Sequence, residues 1–511
     1  MEDLIQRQGT NPMKQHHLMT LLALILLQLC NFVVANSKNA STESNELIIG
    51  NVTLISPERA KPLETASIRI SDGKITEIST KQLKANSNAT EIDGTGQFLI
   101  PGLMDSHVHL SLMPGLTFSD LEGANQLQKS FVKQQPRSYL YFGVTQLLDP
   151  SQTPESITSF NEVAQKPDLF HCGATPIVGG YPTIWVTKEE MFDSFRYLII
   201  DENEIDSLPK GSDPARFTPE AVVKRISEDG AICVKVFIED GFGSSNQWPL
   251  ISESLLKRVQ KAAEKHGLIM MAHANAIDMQ QIAGKLEVDV IAHGLWNWNQ
   301  YNRKPGLPLE IKRVLDQIID KNIVFQPTFN VMDGLKGVTV PNVLNDPLYA
   351  KVVSKQAMDW YNTSKGLWFR DEILSDFEGL SLSKVHKHQD MVISQGERAV
   401  EYLSRKNHPI VLASDTPSSP TFAAQPGVST YQELQHLHKA GLSLLQVFQA
   451  ATINNAKAFR MDSQYGTIEP GKIANLLLLN SNPLESISAY NQIDKVIIRG
   501  QAIERESLAV K

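Results

Sequence analysis

The chain has 511 residues, 42% of them hydrophobic, enough for one large α/β domain with a smaller one beside it and too many for a disordered protein. Its formal net charge of −8, from 48 Lys and Arg against 56 Asp and Glu, comes without a long basic block and gives no electrostatic reason to expect nucleic acid as a partner. A small-molecule or dipeptide substrate is expected instead.

The N-terminus reads as a targeting segment. A basic start after Met13, an apolar stretch near Leu21 to Leu29, and Val33 and Ala35 at small-residue spacing before Asn36 predict a signal peptide over 1–35, cut after Ala35. The expected location is therefore secreted or periplasmic. The apolar stretch is shorter than the ~20 residues a bilayer span needs and is broken by Gln28 and Asn31, so no stable span is expected once the signal is removed. Bulky Leu29 before Cys30 disfavours a lipoprotein signal. Cys172 and Cys233 sit in apolar, strand-like runs and read as two buried thiols rather than a disulfide framework. Asn39, Asn51, Asn88 and Asn362 stand in glycosylation sequons, which matter only if the source glycosylates secreted proteins.

Residues 44–100 carry short alternating runs with "SDGK" between two of them, the signature of a hairpin. Residues 461–511 return to short apolar strands punctuated by Gly and Pro, so the two ends are expected to complete one small β domain. Between them, over 101–460, strand-length apolar runs alternate with helical periodicity. These are the run ending at "DSHVH", then "GVTQLLD", "CGATPIVGG", "ICVKVFIED", "LIMMAHAN", "DVIAHG", "NIVFQPT" and "PIVLASD". Apolar runs buried on both faces and separated by helices imply a parallel sheet, and eight of them imply a (β/α)8 TIM barrel. A charged, helix-like stretch over 345–405 reads as an excursion over the barrel mouth.

Three His-x-His pairs occur, and spacing alone does not separate them. In a strand, residues i and i+2 share a side, whereas on a helix they diverge by about 200°. His107 and His109 end an apolar strand and can chelate one ion together. His386 with His388, and His436 with His438, fall in helical stretches and read as helix surface. Further candidate ligands stand at the C-terminal ends of the barrel runs, where a TIM barrel places its chemistry: Lys235, His273, His293 and Asp415.

These residues carry a resemblance to the amidohydrolase superfamily, metal-dependent hydrolases on a (β/α)8 barrel with a flanking β-sandwich. "IPGLMDSHVHL" resembles the family's first-strand motif, "IAHG" its sixth, "ASDT" its eighth, and "GTIEPGKIANLLLL" the return to the sandwich, here built from the N- and C-terminal segments. Asn475 stands where the family usually has Asp, at a structural position. The resemblance implies that His107, His109 and Asp415 hold one divalent ion, that His273 and His293 hold a second, and that Lys235 bridges them as a CO2-derived carbamate. Zinc is the default, with Mn(II), Co(II) or Fe(II) tolerated by such ligands. It further implies a hydroxide bridging the two ions, with Asp415 as the catalytic proton carrier.

Within that superfamily, aminohydrolases carry a glutamate three residues after the fifth-strand histidine, where this chain has Ala276, and they lack the bridging lysine. The form "VKVF…AHAN…IAHG" resembles the branch of Xaa-Pro and other dipeptidases with a carboxylated lysine. That implies hydrolysis of a C–N amide or peptide bond in a dipeptide or N-acyl amino acid. A cyclic amide or lactone hydrolase, or a deaminase, is the alternative. Tyr181 and Thr328 are candidates for holding a substrate carboxylate, and Trp296 with Trp298 for lining the pocket. Tyr181 replaces a histidine of the dipeptidase branch, which keeps N-acyl amino acids, cyclic amides and lactones open. A binding protein that had lost activity should show a broken ligand set, and this set is intact. A homo-oligomer is compatible with the sequence.

Overall fold

The computed structural model describes residues 46–116, 124–242, 247–418 and 420–511. The predicted signal segment, Cys30 and Asn39 lie outside the described residues. No helix among the described residues is long and apolar enough to cross a membrane.

The first strands are β1 (Glu46–Leu54), β2 (Leu63–Ser71), β3 (Lys74–Ser79), β4 (Thr90–Asp93) and β5 (Phe98–Pro101). The "SDGK" signal is the turn between β2 and β3: Asp72 and Gly73 both take positive φ, which matches a two-residue hairpin turn to the twist of the strands. From the other end of the chain come β13 (Leu476–Leu479), β14 (Ile493–Ile498) and β15 (Gln501–Glu504), numbered in chain order with the barrel strands below. All eight belong to one sheet, in the order β15-β14-β13-β5-β1-β2-β3 with β4 alongside β1. Leu476 to Leu479 pair antiparallel with Pro101 to Phe98, so the last strands of the chain complete what the first begin. The apolar side chains of this sheet, among them Ile49, Val52, Ile68, Leu99 and Leu478, form a core of their own.

Gly102 carries the chain from this sheet into the second one. A Cβ there would sit 1.9 Å from Oγ1 of Thr145, so only glycine permits the close passage. The second sheet contains β6 (Leu103–Asp105), β7 (Val144–Asp149), β8 (Asp168–Thr175), β9 (Cys233–Phe237), β10 (Ile269–His273), β11 (Val290–Ala292) and β12 (Val324–Gln326). They lie parallel in chain order, which is the TIM-barrel-like α/β arrangement expected from the alternating runs. The eighth run, "PIVLASD", is not a regular strand. It nevertheless joins the two edges: Val411 N donates to Phe325 O on one side, while Ser106 N donates to Leu412 O and Asp415 N to His107 O on the other. Bridges Phe325 with Ile410 and Val108 with Thr416 mark the same two seams.

Period-2 alternation along the strands separates an inner from an outer core. Met104, Cys172, Cys233, Met271 and Ala292 pack inside, against Phe459, Met461 and Tyr465. Val234, Val236, Met270 and Ile291 face outward to the helices. The expected excursion is present as helices Lys355–Tyr361, Trp368–Ser375 and Leu382–Arg405.

One expectation is corrected. Cys172 and Cys233 are not two free thiols but a disulfide. They stand opposite each other in the register of β8 and β9, 4.4 Å apart at Cα, a pairing that a separation of 61 residues in the sequence does not reveal.

Asn475 has the structural role expected of it. Its side chain donates to Asp168 and to Thr145 O and accepts from Arg499 N, fastening the first sheet to the start of the barrel strands. Asn51, Asn88 and Asn362 are exposed.

Candidate metal centre and active site

The side chains singled out from five separate runs meet at one end of the parallel sheet. Nε2 of His107 and of His109 lie 3.4 and 2.9 Å from Oδ1 of Asp415. One ligand atom from each of these three residues falls within 4.8 Å of the others. His293 stands next to them, with ring centroids 5.5 Å from His107, and its Nε2 faces Nδ1 of His273 at 2.8 Å. Lys235 is fully buried among these groups. His386 and His388 lie instead on helix Leu382–Arg405, and His436 and His438 on helix Val428–Lys439. There His386 bonds Thr339 and His436 bonds Asp333.

Each of the four clustered histidines has one ring nitrogen engaged by the protein. Nδ1 of His107 meets Gln326 Oε1 at 3.2 Å, and Nδ1 of His109 meets Ser151 Oγ at 3.1 Å. Nδ1 of His293 meets Thr328 Oγ1 at 3.0 Å, and Nε2 of His273 meets Glu239 Oε2 at 3.0 Å. The remaining nitrogens are the ones that face Asp415 or each other. Holding one nitrogen in this way fixes the ring and leaves the other as a lone-pair donor, as metal-binding imidazoles require.

The electrostatics agree with that arrangement. Burial pushes His107 and His293 well below the usual histidine range, so both rings are neutral. Burial works against the Asp415 carboxylate, but His107 and His109 facing it hold its carboxyl well below the ordinary value. His109 Nε2 lies within hydrogen-bonding distance of Asp415 Oδ1, and this carboxylate raises His109 against the effect of its burial.

Burial lowers Lys235 to about 7, against the opposing pull of Asp415. The hydrogen-bond partner of its Nζ is Met271 Sδ at 3.7 Å, a weak acceptor. An ammonium without a carboxylate partner is costly at such depth; a neutral amine is not.

Three residues of the site have strained backbone. His293, Thr328 and Asp415 take φ of 89°, 49° and 53°, a region unfavourable to residues with side chains. Thr328 is held there in part by Glu433, whose carboxyl accepts from the amides of Phe329 and Asn330.

The expected substrate contacts sort differently. Tyr181 does border the site: its ring stacks on His273 with centroids 4.8 Å apart. Burial raises its phenol, helped by the nearby carboxylates of Asp415 and Glu239. Thr328 Oγ1 lies 3.0 Å from Nδ1 of His293, which places it behind that ring. Trp296 is packed in the core against Phe329, over Gly294 and Gly396, and Trp298 lies under Arg398 with Nε1 bonded to Leu295 O. Large aromatic side chains near a strand end fill the gap to the next helix as readily as they line a pocket.

Glu239, Gln326 and Ser151 are not among the residues expected from the sequence. Glu239 has a signal in hindsight, since it continues the parity of Lys235 and Phe237 beyond the strand end. Asp105, the first residue of "DSHVH", is a further buried group of this region. It accepts from Ser414 N and Thr430 Oγ1, and burial raises it to about 6.

The fold is shared with solved structures at low sequence identity. A Xaa-Pro dipeptidase with bound methionine in its active site aligns over 90% of this chain and 100% of its own, at 20% identity and TM-score 0.60. The ochratoxinase of A. niger aligns over 90% and 96%, at 18% identity and TM-score 0.63. Adenine deaminase 1 of Desulfotalea psychrophila is 38% identical over 68 residues, 13% of this chain and 10% of the deaminase, so the chain spans only a tenth of that relative's length. The family model described as "Amidohydrolase family" matches residues 219–503, more than half of the chain and the stretch that holds Lys235, His273, His293 and Asp415. The chain therefore belongs to the amidohydrolase family.

Proposed function

We infer that this protein hydrolyses a C–N amide or peptide bond of a small substrate, using two divalent ions held by His107, His109, Asp415, His273, His293 and a carboxylated Lys235. The observation that carries the reading is that one nitrogen of every ring is held by a protein partner, while the other faces Asp415, in His107 and His109, or the neighbouring ring, in His273 and His293. The donor set of imidazole and carboxylate suits zinc.

When bound, the ions supply a water of lowered pKa and polarise the scissile carbonyl. The amine of Lys235, lowered to about 7 and so about half neutral near pH 7, attacks CO2, forms the N–C bond and releases a proton to become an anionic oxygen donor. Asp415 takes the proton of the attacking water and passes it to the leaving amine. Tyr181 and the loop bearing it cover the reacting groups, and Thr328, Gln326, Ser151 and Glu239 keep the rings aimed.

The barrel over 101–460, flanked by a β-sandwich formed by 44–100 and 461–511, is the architecture we assign. The separate core of the first sheet supports it. A secreted or periplasmic location after removal of 1–35 completes the reading and is compatible with the disulfide. The short likeness to adenine deaminase favours one second reading, deamination; Ala276, where the aminohydrolases carry a glutamate, speaks against it.

The test is elemental analysis of the mature protein together with a panel of dipeptides, N-acyl amino acids and cyclic amides. Near two ions per chain with amine release is expected. Near one ion, with ammonia released from a ring substrate, overturns the reading in favour of deamination.

A further inference from the structure

The rings next to His273 continue outward to solvent. Tyr181, stacked on His273, is the hub: its centroid lies 5.1 Å from Trp185, 5.5 Å from Phe242 and 6.0 Å from Trp248. Phe242 and Trp248 meet edge to face at 5.1 Å. Trp185 and Phe242 are 63% and 46% exposed, among the most exposed large apolar side chains of the described residues. A single exposed aromatic ring needs no explanation, but an exposed pair joined by ring contacts to a buried reaction centre is a binding surface.

The rings are held in place. Thr183 Oγ1 donates to Ile177 O and Gly180 O, closing the loop that bears Tyr181 and Trp185. Trp248 N donates to Asp240 O. Rigid aromatic faces lose little conformational entropy when a flat group lies against them.

Glu239 is buried beside His273. The four ring side chains themselves carry no charge, so they give a neutral planar group a contact and a carboxylate no partner.

We propose that Tyr181, Trp185, Phe242 and Trp248 form a specificity wall that binds an uncharged aromatic group of the substrate on the His273 side of the scissile bond. This rests on the amide-hydrolase reading and narrows it: the preferred substrates are neutral amides bearing a planar ring, and a free carboxylate, where present, lies away from this wall.

The test separates binding from turnover in the metal-loaded enzyme. Tryptophan fluorescence is titrated with benzylacetone, a ketone that cannot be hydrolysed, and with methyl butyl ketone as its aliphatic counterpart. Initial rates are measured in parallel on N-benzylacetamide, N-butylacetamide and N-butylbenzamide. The expected result is an about ten-fold preference for the aromatic ketone, lost in Trp185→Ala and in Phe242→Ala. KM for the better aromatic amide rises by a similar factor in both variants, with kcat within about two-fold. Equal affinity for the two ketones in the parent protein overturns the wall, and so does a preference that survives both substitutions. A preference for the aromatic ketone without cleavage of any amide leaves the wall standing and removes the hydrolase reading. Cleavage of all three amides with equal KM does the reverse.

Discussion

Oε2 of Glu239 lies 3.0 Å from Nε2 of His273, and the same oxygen accepts from Nδ2 of Asn275 at 2.7 Å. A carboxylate on one imidazole nitrogen fixes the tautomer and strengthens the other as a donor. Glu239→Gln is expected to weaken metal retention about 10- to 100-fold, read as metal content after dialysis against a graded chelator series. Unchanged retention would show that Glu239 has no part in holding His273.

Lys235 brings the two ligand groups together in the proposed site. Lys235→Ala should lower metal content from near two towards one and cut kcat/KM by about three orders of magnitude or more, the scale of losing a positioned catalytic charge. Added short-chain carboxylates should restore part of the activity by filling the space the carbamate leaves. Full activity and metal content in the variant would make Lys235 a core lysine.

Thr328 is strained at φ 49° and spends its hydroxyl on Nδ1 of His293. Thr328→Ser keeps the hydroxyl and should behave like the parent, whereas Thr328→Ala should loosen metal binding about 10-fold or more. Parallel titration of apo protein with zinc in a competing chelator distinguishes them. If serine and alanine are equivalent, the hydroxyl does not orient the ring.

His386 and His388 share the spacing of His107 and His109 but lie on helix Leu382–Arg405. Replacing both with Ala should leave metal content unchanged, while replacing His107 and His109 should remove at least one ion. Elemental analysis of the two double variants is sufficient, and loss of metal from the helical pair would refute the strand-versus-helix argument.

Asp105 titrates in a buried setting, raised from 3.8 to about 6 by burial. The native state then binds this proton more tightly than the unfolded chain. The associated stability is complete below about pH 4 and lost as pH rises through about 6. Relative to Asp105→Asn, metal-free parent protein should therefore lose up to about 3 kcal/mol between about pH 4 and pH 7. Urea midpoints of both proteins across that range test it; a gap that stays constant with pH would mean that Asp105 titrates alike in the folded and the unfolded chain.

Much of this molecule was legible as local pattern. Strand parity separated His107 and His109 from the two helical His-x-His pairs, because side-chain direction in a strand depends only on position along it. The "SDGK" turn and the alternating apolar runs were readable for the same reason: neighbouring residues determine them. Lys235, His273, His293 and Asp415 could each be placed in a strand-like run, and the parallel sheet, with the irregular eighth run hydrogen-bonded to its two edges, then brought them together.

What the tertiary structure alone decided were relations between distant segments. The Cys172–Cys233 bond depends on the register of β8 against β9, Trp296 was drawn into the core by Gly396 on a helix a hundred residues on, and Thr328 was claimed by His293. Gln326, Ser151 and Glu239 became ring holders only because the sheet set each beside a histidine from another strand. Strand periodicity dictates which way a side chain points; which neighbour it meets is set by register and loop path, energies summed over the whole fold and not encoded in any one stretch.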